Sequence, residues 1–307
     1  MSLWLYRCVI RIALGLMVSV LLAACGGQSG TGTVDENANQ NAPLNAVLAA
    51  SELVVGSNRL PIGIVQSGSP LNDPAVKMHL RIFDLADTSQ TVRSETDAVY
   101  RGEGLPFGLY VAYPTFDTPG AWGIEVQMTD SDGQVYVNRL RVEVLAQSST
   151  PAVGSPAIPS TNLTANEEPD LGRITSDGQP DPDLYQLTIA DAITAKRPFL
   201  VAFSTPGFCK TAVCGPNLQV IKQVKEQFKG QVDFIHVEVY PYPYGESFQQ
   251  ERFVPAMEEW RLVSEPWTFL VDAQGIIQAK YEGGITVGEL ELALTQLAAG
   301  QPMTPVP

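Results

Sequence analysis

Two cysteines, Cys209 and Cys214, stand close together at residues 204–217, STPGFCKTAVCGPN, between an apolar run and a segment with helical spacing. Thiols so placed have three chemical uses. They can form a redox couple, in which one thiolate attacks a disulfide and the second thiol resolves the mixed disulfide. They can supply part of a soft metal site, or close a passive staple. A staple across so short a loop removes little chain entropy, so stability alone is a weak reason for it. A thiolate at a helix N-terminus is stabilised by free N–H groups and the helix dipole, and Pro216 suits a first helical turn, where a missing N–H costs nothing. By that register Cys214 is expected to be the attacking sulfur and Cys209 the resolver, with Lys210 adding local positive charge.

The other cysteines are Cys8 and Cys25. Arg7 and Arg11 precede an apolar run at 12–22 that ends in Leu22-Ala23-Ala24-Cys25, the layout of an export signal with a small-residue processing site. That tetrapeptide resembles the bacterial lipoprotein lipobox. The resemblance implies a signal peptide at 1–24, lipidation of Cys25 as the mature first residue, and a membrane-anchored extracytoplasmic protein of the bacterial cell envelope. Cys209 and Cys214 are then the thiols left in a compartment where disulfides persist, and they are expected to pair with each other. The balance of 33 acidic against 19 basic residues gives a formal charge of −14, which disfavours nucleic acid and leaves the lipid as the link to the membrane.

A chain of 307 residues has room for two domains. Residues 25–46 are Gly, Ser, Asn, Gln and Thr with few large apolar side chains, the composition of a flexible tether. Across 47–146 short alternating runs recur. Val76, Met78, Leu80 and Ile82 fall on one face of a strand, with Lys77, His79 and Arg81 on the other; Trp122, Ile124, Val126 and Met128, then Leu140, Val142 and Val144, repeat the pattern. About seven such strands suit an all-β immunoglobulin-like sandwich, a spacer or partner-binding platform with no cluster of catalytic residue types. Residues 147–182, rich in Pro, Ser and Thr, read as an interdomain linker.

From 183 to 300, before a tail at 301–307, helix and strand alternate. Thr188 and Asp191 suit a capping box, PFLVAF a strand buried on both faces, and Leu218, Ile221, Val224 and Phe228 an amphipathic helix. VDFIHVEVY continues as a strand, Phe253, Met257 and Trp260 give a further helical face, WTFLVD and IIQAKYEG a hairpin, and Thr286 with Glu289 a second capping box. VAFSTPGFC, the CGP at 214–216 and SEPWTFLVD, in that order, resemble a thioredoxin-family domain. The resemblance implies an α/β thioredoxin-like fold, with Pro266 in the cis-proline position presenting a backbone edge to substrate, and Phe208 and Trp267 beside it. By the family's aromatic-Cys order, Cys209 competes for the attacking role. Two departures stand out: Asn217 follows Pro216 where the family has its second cysteine, and Ala202 occupies the place of the family's buried acid.

His236 and Glu238 point to one side of their strand, where a covered sheet should be apolar. Either they handle protons for the cysteines or they form a histidine–glutamate core pair. The loop YPYPYG reads as a stiff strand-to-helix connection on the same edge as the cysteines, open to a part in recognition. The expected function is thiol–disulfide exchange through Cys209 and Cys214 with protein or small-thiol partners, using no cofactor and no resident metal. One alternative resembles the Sco copper chaperones, with His236 as the candidate imidazole for copper. Another is a redox-silent binding lipoprotein with a structural disulfide.

Overall fold

Apolar alternation builds the first part of the chain. The computed structural model describes residues 44–303. The signal at 1–24, the lipidation at Cys25 and most of the expected tether lie outside the described residues. The tether's expected end at 46 is too late, because Leu44 and Ala46 are buried in the first strand. Strands β1 (Leu44–Leu48), β2 (Leu53–Val54), β3 (Gly56–Ser57), β4 (Leu60–Gln66), β5 (Ser69–Leu71), β6 (Lys77–Asp84), β7 (Val92–Tyr100), β8 (Leu109–Ala112), β9 (Thr115–Phe116), β10 (Gly120–Thr129) and β11 (Val135–Leu145) follow one another. On β6 and β10 the predicted inward residues meet in register, Met78 opposite Met128, Leu80 opposite Val126 and Ile82 opposite Ile124, and all are buried in one core with Trp122, Val142 and Val144. In place of two separate sheets, β7 pairs with β6 along 92–98 and with β8 at Val99 and Tyr100. The ladder β1-β4-β8-β7-β6-β10-β11-β2 therefore runs unbroken, and the sheet curls around its core.

The second sheet has four strands in the order β13-β12-β14-β15, formed by β12 (Phe199–Ser204), β13 (Asp233–Glu238), β14 (Trp267–Val271) and β15 (Ile277–Glu282). β12 runs parallel to β13 and antiparallel to β14. Every residue of β12 is buried. Leu200 and Ala202 face a core shared with Leu218, Ile221, Leu290 and Leu294, and Phe199, Val201 and Phe203 face another shared with Met257, Trp260 and Phe269. Of those partners Leu218 and Ile221 ride on α2 (Cys214–Lys225), Met257 on α4 (Pro255–Glu259) with Trp260 at its end, Leu290 and Leu294 on α5 (Val287–Ala298), and Phe269 on β14; the remaining helices are α1 (Ile189–Ala195) and α3 (Tyr244–Gln249). Phe253 lies before α4 rather than on it. The Thr188–Asp191 capping box forms at α1. No helix among the described residues is long and apolar enough to cross a membrane.

Residues 147–182 are not a free linker. Gly154 N–H donates to Ile277 O and Ala157 N–H to Gly275 O, and Pro156 bridges Ile276. Ser160 Oγ accepts from the Trp260 indole at 3.1 Å, while Ala157, Thr164, Ile174 and Thr175 are buried. The stretch has too little apolar surface for a core of its own, but its backbone and hydroxyls find fixed partners along the second sheet.

The expected capping box at α5 does not form: Thr286 makes no side-chain cap. Glu289, fully buried, turns to a partner 230 positions away in sequence. Arg59 Nε donates to Glu289 Oε1 at 2.6 Å and Nη2 to Oε2 at 3.0 Å, with further bonds to the carbonyls of Glu282 and Gly284. Tyr113 OH adds a third bond to this carboxylate at 2.8 Å. Burial alone would lift the Glu289 carboxyl, and Arg59 instead holds it below the usual carboxylate range. Truncating one partner leaves the other charge buried and unpaired, so Arg59→Met should cost about 3–5 kcal/mol in denaturant unfolding, and Arg59→Met with Glu289→Leu should recover most of it. A double variant no more stable than the single one contradicts this reading.

Candidate functional site

β12 delivers the chain to the cysteine loop, and α2 receives it. Cys209 and Cys214 are joined by a disulfide, Cα to Cα 5.9 Å. Cys214 is the first residue of α2, so Pro216 falls in the first turn as its missing N–H requires. Yet Cys214 is fully buried, whereas Cys209 is half-exposed. Cys209 Sγ also accepts the Cys214 N–H at 3.2 Å and lies 3.3 Å from Thr211 Oγ1. The helix start thus serves the sulfur of Cys209, and Cys209 is the more exposed of the two cysteines. Of the expected pair, Cys214 attacking and Cys209 resolving, the first is the buried residue and the second the more exposed one.

Asn217 is a brace. Its Nδ2 donates to Gly283 O at 2.7 Å and its Oδ1 accepts from Ile285 N–H at 3.1 Å, tying α2 to the turn between β15 and α5. Phe208 is half-buried among aromatic rings, 6.3 Å from Tyr244 and 5.8 Å from Phe248 between centroids. Lys210 reaches outward to Glu251 at 2.7 Å rather than toward the sulfurs. Pro266 follows a cis bond from Glu265 and is buried, its carbonyl accepting from Gly283 N–H at 2.9 Å. Trp267, expected at the substrate surface, is 3% exposed and stacks on Phe269, so its side chain belongs to the core.

His236 and Glu238 do not pair with each other. His236 Nε2 donates to Ser204 O at 3.1 Å, beside Ser204 Oγ at 3.0 Å, which leaves Nδ1 to accept from Tyr185 OH at 2.9 Å. Burial lowers its pKa to about 4, so the ring is neutral at neutral pH, and both nitrogens are engaged. It is a satisfied core histidine. Glu238 Oε2 accepts from Ser176 N–H at 2.7 Å, Ser176 Oγ at 2.9 Å and Thr175 Oγ1 at 3.3 Å, while Oε1 has no hydrogen-bond partner. Burial raises Glu238 to about 7 against these bonds. Its partners come from the supposed linker, and that segment approaches closely: a Cβ at Gly207 would lie 2.9 Å from Ser176 O, and Gly207 N–H donates to Ser176 Oγ at 3.0 Å.

Glu265, not among the residues the sequence points to, completes the site. Its Oε2 accepts from Thr205 N–H at 2.8 Å and lies 3.6 Å from Cys214 Sγ; its Oε1 has no partner. Burial lifts it to about 8, the charge of Glu238 adding to the rise. A signal was present, an acid directly before the proline expected beside the cysteines. Thr205 Oγ1 stands 3.3 Å from Ser176 Oγ, so Glu265, Thr205, Ser176 and Glu238 form one polar cluster behind the disulfide. Among the described residues no group of three or more His, Cys, Asp or Glu is arranged to hold a metal ion.

No protein-family model matches the chain, and no curated protein matches it. Among solved structures it is similar to a thioredoxin-family thiol:disulfide interchange protein from Chlorobium tepidum TLS, at 12% identity and TM-score 0.31, over 50% of this chain and 99% of that one. It is also similar to CopC from Methylosinus trichosporium OB3b, at 16% identity and TM-score 0.24, over 34% of this chain and 98% of that one. The soluble domain of PmoD from Methylocystis sp. ATCC 49242 gives 14% identity and TM-score 0.22, over 33% of this chain and 90% of that one.

Both buried carboxyls take up protons on folding. A carboxyl raised from 4.5 to about 8 or about 7 contributes stability that is present in acid and lost as pH rises through the raised value. The melting temperature should therefore fall between about pH 5 and pH 8, and Glu265→Gln or Glu238→Gln should each flatten that fall. His236 acts with the opposite sign, its contribution being lost as pH drops toward about 4. An unchanged slope in both Gln variants contradicts the assignment.

Proposed function

We propose that this chain is a lipid-anchored extracytoplasmic protein that exchanges the Cys209–Cys214 disulfide with thiol partners on a thioredoxin-like domain spanning 183–300. The observation that carries the reading is the asymmetry of the two sulfurs. One is half-exposed and takes the first N–H of α2; the other is fully buried beside a carboxyl. A passive staple has no use for that difference. A redox couple does, because an outside thiolate must reach one sulfur while the other is kept from it until resolution. The Cys loop between β12 and α2, and the cis proline at the entry to β14 beside it, support the thioredoxin-like reading of the domain.

The partner is a protein dithiol or a small thiol, and it meets Cys209 with Phe208 beside it. The β region at 47–146 is a platform that holds this site, joined to it through Arg59 and Glu289. His236 has no free nitrogen to offer copper, which weakens the copper-chaperone alternative.

Trapping tests the exchange and its order. Cys214→Ser leaves Cys209 without a resolver and should accumulate mixed disulfides with thiol partners, whereas Cys209→Ser should accumulate few. Trapping chiefly by Cys209→Ser would reverse the roles. No trapping by either, with no exchange by the unaltered protein, returns the pair to a staple.

A further inference from the structure

We propose that Glu265 gives and takes the proton of Cys214 during exchange, and that Glu238, acting through Glu265, is a positioning residue that sets the pH at which that proton moves. This rests on the exchange reading. In the reductive direction an outside thiolate attacks Cys209 Sγ; the Cys209–Cys214 bond breaks as a sulfur–sulfur bond to the partner forms, and the bonding pair leaves on Cys214 Sγ. A second thiol of the partner, losing its proton to solvent, then displaces Cys209 as a thiolate that takes a proton from solvent, so that the partner ends as a disulfide, having given two electrons, and the protein as a dithiol with Glu265 as carboxylate.

The difficulty lies in the first step. Cys214 has no exposed surface, and a thiolate released there would be a buried anion without a counter-charge, which is costly. A proton must meet it. Lys210 is held outside by Glu251, and His236 is neutral and bound on both nitrogens. The Glu265 carboxyl, 3.6 Å from Cys214 Sγ, is the group within reach. The Thr205 N–H fixes one of its oxygens and the other has no partner, an environment that favours the protonated acid. As Cys214 leaves, the acid passes it the proton and becomes carboxylate; in the oxidative direction that carboxylate takes the proton back as Cys214 attacks the mixed disulfide on Cys209. Atoms and charge balance in both directions with no further oxidant or reductant than the partner.

The groups that act on Glu265 are Thr205 at the end of β12, Lys210 from the loop, Cys214 from α2, and Glu238 and Tyr240 from β13 and its end. Burial raises Glu265 most, the negative charge of Glu238 raises it further, and Lys210 opposes. Removing the Glu238 charge should therefore move the titration of Glu265 to lower pH.

The test uses the full chain with Cys8→Ser and Cys25→Ser, so that the two site cysteines alone react. Reduction by dithiothreitol is followed by quenched alkylation across the neutral to mildly alkaline range, each rate divided by the dithiothreitol thiolate concentration. In the unaltered site this normalised rate should fall as pH rises through the range where Glu265 loses its proton. Glu265→Gln should react about 10²-fold more slowly at neutral pH, the order of a positioned acid, with a flat profile. Glu265→Asp should regain part of the rate, and Glu238→Gln should shift the fall to lower pH. Thermal melts establish that each variant is folded, and if Glu265→Gln is not, the Asp variant decides: an unshifted profile overturns the proposal. Glu265→Gln with the original rate and profile overturns the proton role but leaves exchange standing. An unshifted profile in Glu238→Gln overturns its positioning role. A parent disulfide that dithiothreitol reduces only on unfolding overturns both the proton role and the exchange reading.

Discussion

A carboxyl group buried against a disulfide is the constraint around which the site is arranged. Glu265 is removed from water; its Oε2 takes the Thr205 N–H and lies 3.6 Å from Cys214 Sγ, while its Oε1 is unpartnered. Such a group persists only where the surrounding structure is firm enough to hold it, because an unsatisfied buried polar atom costs about 1–3 kcal/mol. That firmness has three sources. The packed strand β12 fixes Thr205 at its end, the turn through Pro266 folds Glu265 under the loop, and Asn217 locks α2 to the next turn of the fold. The cysteines inherit their asymmetry from this arrangement. Cys214 is sealed in with the carboxyl, and Cys209 is left at the mouth.

The segment 147–182 belongs to the same arrangement. Ser176 bonds the Glu238 carboxylate and, through Gly207, the backbone of the cysteine loop. Its side chain lies between the two acids, so what composition presents as a connection is part of the wall behind the disulfide. The Arg59–Glu289 pair fastens the curled β-sheet to the start of α5. The two regions of the chain are thus held to one another by desolvated charge, an interaction whose loss is far more costly than that of an exposed ion pair.

Much of this was legible in the sequence because it depends on short-range periodicity. The alternation at 76–82 and 122–128, the doubly buried PFLVAF and the Thr188 capping box all form as their spacing implies. The features that were not legible depend on partners distant in sequence. Glu289 has the spacing of a capping box with Thr286, but Arg59 offers a buried counter-charge that wins. Polar residues in 147–182 imply freedom until Trp260, Glu238 and the edge of the hairpin supply their bonds. Glu265 looks like an exposed acid before a proline, and only the fold of that turn places it beside Cys214. Ala202 is buried on β12 and brings no carboxyl; the one beside Cys214 arrives from the turn entering β14.

Reversible redox behaviour at Cys209 and Cys214 is the claim on which the rest depends. Equilibrating the folded protein against dithiothreitol buffers of graded reduction, and counting oxidised sites by alkylation after acid quench, measures it directly. A single two-electron transition, traced identically from the oxidised and the reduced side while the fold stays intact, is the predicted result. A disulfide that stays closed until the protein unfolds would contradict the account.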